Sequence, residues 1–140
     1  MNPPIVVHGK DLKAVRIHPG AQVSRILTKD TVNSDKLLVG IGESDPGEAP
    51  HPWHRHTRDT LPGVEYVYPK GFVEFYYILN GSAKVQWKTP DGKVNEEEAS
   101  EGDTIFFPED VMEHQALNTG NGKLTVLYGM VPPVKIIDKK

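Results

Sequence analysis

The run His51-Pro52-Trp53-His54-Arg55-His56 puts three histidines within six residues, and its reading decides the fold. Proline and tryptophan spoil a helical reading, so the run reads as the end of a strand. Alternate side chains of a strand share a face, which sends His54 and His56 one way and Trp53 and Arg55 the other. Two imidazoles side by side on one face suit a single metal ion. His51 stands outside that alternation and reads as a loop histidine at the mouth of the fold, with metal ligation or proton transfer as its functional alternatives.

Working upstream, residues 44–50 form a turn-rich loop, and Lys36 to Gly42 is a nearly continuous apolar run suited to a strand buried on both faces. Val15 to His18 and Ser24 to Leu27 read as strands around a Pro19-Gly20 turn. Downstream, residues 57–71 make a long connection with a possible short strand at Val64 to Tyr68. Connections of that length are uncommon in compact domains, which makes this one a candidate lid. Val73 to Leu79 is a strong strand signal, and Asn80-Gly81 reads as a hairpin turn into Ala83 to Lys88. Residues 94–100 carry Glu96-Glu97-Glu98 and read as a solvated edge. Thr104 to Phe107, Glu113 to Asn118 and Leu124 to Met130 complete the strand list.

The 140 residues, with Gly 13 and Pro 12 punctuating short β-rich runs, predict one all-β domain, a sandwich or barrel. Residues 1–14 form an arm with an apolar grip at Ile5-Val6-Val7, 15–131 the barrel with its insertion at 57–72, and 132–140 a peripheral tail. A net charge of −3 offers no field for phosphates, so nucleic acid is not an expected partner and a small molecule is. Cys 0 excludes disulfides and thiolate chemistry, leaving nitrogen and oxygen to hold any transition metal. No window has the apolar length of a membrane helix, so no membrane partner and a cytoplasmic location are the expectation.

On the Val73 strand, alternation puts Glu74, Tyr76 and Ile78 on one face. A glutamate on an apolar strand costs several kcal/mol to bury unless it is paired. Glu74 is therefore a candidate metal ligand or general base. Tyr76 is positioned to offer its hydroxyl to a substrate, while Ile78 and Phe106 are expected to pack the core. His8 and His18 read as surface residues, and Arg58 as a solvated arginine.

These residues resemble the two motifs of the cupin superfamily. The first motif is matched by Gly47, the His54-Arg55-His56 pair, Glu74, and Gly81 after six intervening residues. The family leaves only a few residues between the histidine pair and the glutamate, whereas seventeen lie between His56 and Glu74 here. The second motif is matched by Gly102, Pro108, His114 and Asn118, with Asp110 where the family has glycine. The resemblance implies a double-stranded β-helix barrel, jelly-roll-like, holding one divalent transition metal ion (Zn, Fe, Mn or Ni) on His54, His56, Glu74 and His114. The segment from Ile17 to Leu27, followed by Thr31-Val32, is similar to cupins of aromatic polyketide biosynthesis. That likeness implies Lewis-acid chemistry of the cyclase, isomerase or lyase type on a carbonyl compound, with Glu74 or His51 as base. An Fe(II)-dependent dioxygenase and a non-catalytic binding or sensing cupin are the alternatives. Small cupins of this kind are usually homodimers, and the N-terminal arm is the element expected to cross between subunits.

Overall fold

The computed structural model describes residues 1–139. Its strands are β1 (Ala14–His18), β2 (Ala21–Leu27), β3 (Leu38–Ser44), β4 (Arg58–Thr60), β5 (Val64–Val67), β6 (Val73–Asn80), β7 (Ser82–Lys88), β8 (Val94–Ser100), β9 (Thr104–Phe107), β10 (His114–Asn118), β11 (Leu124–Val131) and β12 (Lys135–Asp138). Helix is confined to single turns, among them α1 (Lys29–Val32), started by a Thr28–Thr31 capping box. No helix among the described residues is long and apolar enough to cross a membrane.

The strands form a six-stranded sheet in the order β1-β2-β3-β11-β6-β9 and a three-stranded sheet in the order β10-β7-β8. A third small sheet has the order β12-β5-β4. The core lies between the inner faces, where Ile17, Val23, Ile78, Leu124, Val126 and Phe107 are buried. β3 is central in its sheet, yet its burial alternates from residue to residue, so it has one inner face and one partly covered face rather than two buried ones.

Asn80-Gly81 does not close a hairpin. β6 pairs with β9 and β11, whereas β7 pairs with β8 and β10, so the chain changes sheets at Gly81. Gly81 has φ +99, and a side chain there would run into the Lys123 carbonyl at 3.0 Å. Asn80 donates its side-chain amide to the same carbonyl at 3.2 Å. Glycine is therefore needed for the corner. The turns after β8 and β10 change sheets in the same way, and this repeated crossing wraps the chain into a barrel.

Three expectations for the periphery are corrected. The 57–72 segment is not a loose lid: β4 and β5 pair as a hairpin, and Val64, Tyr66 and Phe72 are buried in the main core. At about 1.5–3 kcal/mol for each large apolar side chain buried, such an anchor does not swing open cheaply. The tail is not peripheral either, since β12 pairs with β5 along Lys135 to Asp138 and Arg25 binds the Asp138 carboxylate through two hydrogen bonds of 2.9 Å. Phe106 points outward and is 64 % exposed, while Phe107 is the core residue at 2 %. Pairing sets this phase: Phe107 lies opposite buried Glu74, and Phe106 opposite Phe75 on the outer face. In the N-terminal arm, Ile5 and Val6 are exposed.

Candidate metal centre

His54 and His56 lie in an irregular segment rather than at a strand end, but the expected alternation survives. His54 makes an isolated antiparallel bridge with His114, exchanging both backbone hydrogen bonds at 3.0 and 3.1 Å across sixty residues of sequence. The open edge of β10 thus receives the histidine run and sets the two rings side by side, with centroids 4.4 Å apart. His56 follows on the same side, its ring 5.1 Å from His54 and 4.8 Å from His114. Trp53 and Arg55 face away as alternation requires. Lys88 Nζ sits 4.4 Å above the Trp53 ring, and Arg55 bonds Asp110 at 3.0 Å. Asp110, at the family's glycine position, has φ 51. Aspartate tolerates the left-handed region better than most side chains, so the turn into β10 keeps its shape without glycine.

Two backbone carbonyls orient the ligating rings. His54 Nδ1–H donates to the Pro52 carbonyl and His114 Nδ1–H to the Met112 carbonyl, each at 2.8 Å and each two residues upstream. The Nε2 lone pair of each ring is left free. His54 Nε2, both ring nitrogens of His56 and His114 Nε2 are buried without a hydrogen-bond partner. One donor atom from each of the three histidines falls within 4.8 Å of the other two. Buried lone pairs converging in this way carry a desolvation cost that a divalent cation would offset, so the residues fit a metal ion. Burial holds the rings neutral, as ligation requires: His56 and His114 are pushed down to about 4, and His54 well below its ordinary value.

Glu74 rises from β6 on the inner face and is 4 % exposed. Its Oε1 lies 3.3 Å from His56 Nε2, but Glu74, expected as a fourth ligand, does not join the three converging donors. Burial alone lifts its carboxyl to about 8. Tyr76, two residues on, is buried edge-on to Phe107 at 4.9 Å. With His51 and Glu74 it borders a small inner cavity of about 20 Å³.

His51 lies on the loop between β3 and β4, as expected, but is buried against the cluster. Its ring stacks on His54 at 3.5 Å with the planes 6° apart, and its Nε2 contacts the Asp59 carboxylate. It does not join the three converging donors. Asp59 belongs to the β4 hairpin, and no local signal marks it in the sequence, because its relation to His51 exists only once the hairpin folds back. Burial, the leading cause for both, pushes His51 down and Asp59 up. His18, expected at the surface, is also buried. One ring nitrogen lies 2.8 Å from the Ala49 carbonyl and the other accepts from Gly20 N–H at 3.2 Å, which staples β1 to the loop carrying the histidine run. Arg58, exposed as expected, pairs with the largely covered Glu65 carboxylate.

Beyond the histidines the two main sheets part. Val85, Trp87 and Glu97 share the face of His114 in one sheet, and Ile105 and Phe107 share the face of Glu74 in the other. Between them runs a groove of about 690 Å³ that ends on Phe107 and His114. Val111 and Met112 complete its apolar wall, and Glu97, Glu98, Asp103 and Asp110 give it acidic character.

Neither a protein-family model nor a curated protein sequence matches the chain. Solved structures do. A structure described as a predicted oxalate decarboxylase from Thermotoga maritima is 22 % identical, with a TM-score of 0.64 over 91 % of this chain and 98 % of that one. The polyketide cyclase RemF from Streptomyces resistomycificus is 21 % identical, with a TM-score of 0.66 over 99 % of this chain and 88 % of that one. An RmlC-like cupin from Shewanella frigidimarina is 14 % identical, with a TM-score of 0.61 over 94 % and 93 %. The chain has the cupin fold, a double-stranded β-helix barrel closed around a cluster of histidines.

Proposed function

We propose that the protein is a metal-dependent enzyme acting on a small, largely apolar or aromatic carbonyl compound, by Lewis-acid activation of the cyclase, isomerase or lyase type. The observation that carries this reading is the groove ending at His114, with its apolar wall and carboxylate rim. Among the described residues, no lysine or arginine lines it. A small dianion such as oxalate would meet four carboxylates on the way in, whereas a neutral aromatic body would bury its rings against Trp87, Ile105 and Met112.

His54, His56 and His114 would hold a divalent ion through their ring nitrogens, with Glu74 as the oxygen donor beside His56. Such an ion would polarise a substrate carbonyl and so acidify the neighbouring carbon. Glu74, where it is not holding the ion, or His51, braced by Asp59, would accept the proton, and Tyr76 would donate one. A cytoplasmic homodimer, joined through the exposed arm, completes the proposal.

Three converging histidines with the Glu74 carboxyl beside one of them also suit a second reading, an Fe(II)-dependent dioxygenase. Metal analysis of the purified protein, with oxygen-uptake measurements on aromatic 1,3-dicarbonyl and catechol compounds, separates the two. Zinc occupancy with conversion of a dicarbonyl and no oxygen uptake is the expected result. Iron occupancy with oxygen consumption would replace the first reading by the second. Failure to bind any metal after reconstitution would sink both.

A further inference from the structure

The inserted hairpin brings into the centre a group that neither motif contains. Tyr68, one residue past β5, stacks on His56 with ring centroids 4.9 Å apart and planes at 16°. Phe72 supports it edge-on at 4.9 Å, and His54 lies 6.5 Å away. The backbone at Tyr68 is tied to the histidine run by its N–H, which donates to the Thr57 carbonyl at 3.0 Å. The ring is thus held from both sides, but the hydroxyl is buried and has no hydrogen-bond partner.

An unpartnered buried hydroxyl costs about 1–3 kcal/mol, and folded proteins rarely leave one. Packing alone does not explain it, because phenylalanine would give the same stack without that cost. The other unpartnered atoms of this cluster are the histidine nitrogens, which a cation would satisfy. A phenol O–H instead seeks an acceptor. No protein acceptor reaches the Tyr68 hydroxyl, which leaves an oxygen on a compound held at the neighbouring histidines.

We propose that Tyr68 is a catalytic residue whose hydroxyl donates a hydrogen bond to a carbonyl oxygen of the substrate as that oxygen gains negative charge. The inference rests on the proposed carbonyl chemistry and narrows the ligand to compounds with an enolisable carbonyl, the class in which such a donor gains most. It also gives the seventeen-residue spacing between His56 and Glu74 a purpose: the extra hairpin carries an oxyanion donor to the barrel's histidines.

The test compares wild type with Tyr68→Phe, both loaded with cobalt(II) and titrated with acetylacetonate, a 1,3-dicarbonyl enolate. Cobalt absorption reads metal occupancy and probe binding separately. The expected result is equal cobalt occupancy with acetylacetonate binding weakened roughly 10- to 100-fold in Tyr68→Phe, the range for a lost hydrogen bond to a charged group. Equal probe affinity in the two proteins would overturn the proposal and leave Tyr68 a packing residue. Loss of cobalt from Tyr68→Phe would overturn it too, by placing the hydroxyl in metal retention. A wild-type cobalt form that ignores the probe would overturn the proposal while sparing the metal site, whereas a wild type that binds no cobalt would remove the metal reading itself.

Discussion

Glu74 offers the sharpest test of the site, because the cost of burying it is set by the barrel and can be measured without knowing the substrate. In protein freed of metal by chelation, burial lifts its carboxyl from 4.5 to about 8. A carboxyl raised on folding supports the fold fully below 4.5, and that support is lost as the pH climbs through about 8. The histidines behave oppositely. Their lowered values favour the fold above 6.5, and that support is lost as the pH falls toward about 4. Between pH 6.5 and 8 the difference between wild type and Glu74→Gln therefore isolates the carboxyl. At about 1.4 kcal/mol per pH unit, wild type should lose on the order of 2 kcal/mol relative to Glu74→Gln across that window. Urea unfolding followed by tryptophan fluorescence at pH 6.5 and 8 reads this directly, and the midpoint for wild type should fall while that of the variant holds. Zinc should abolish the difference by compensating the carboxylate. Parallel stability curves in the metal-free proteins would show that Glu74 is solvated, and the site as described would be wrong.

Other consequences concern the histidines, the phase of β9 and the arm. His114→Ala should lose at least nine-tenths of its bound metal while keeping the far-ultraviolet circular dichroism of a β barrel; unaltered metal content would refute the cluster. Phe107→Ala should cost about 3–5 kcal/mol in unfolding free energy, as buried aromatic truncations do, and Phe106→Ser about 0.5 kcal/mol or less. Similar losses at the two positions would contradict the β6–β9 register. Deleting residues 1–10 should convert a dimer to a monomer in gel filtration, and an unchanged elution volume would remove the arm from the interface.

Much of the site was legible because strand periodicity is local. Glu74, Tyr76 and Ile78 share the inner face of β6, and His54 and His56 keep a common side even where the backbone is irregular, since alternation needs only neighbouring residues. The same rule could not choose between Phe106 and Phe107. Both are aromatic and adjacent, and only the register against Glu74 decides which one enters the core. Asn80-Gly81 failed for a related reason: the dipeptide specifies a sharp turn, but not whether the next strand returns to the same sheet.

The sequence by itself determined an all-β class and the histidine pair, because alternation is a property of the chain, and its resemblance to the two cupin motifs pointed to the distant residues Glu74 and His114. Tertiary structure alone decided the rest. The bridge between His54 and His114, the ring of His51 between His54 and Asp59, the tail strand that pins the hairpin, and the unpartnered hydroxyl of Tyr68 all join residues whose approach depends on which edges pair. Strand pairing is a non-local choice made by burial across the whole barrel, and no run of neighbouring residues encodes it.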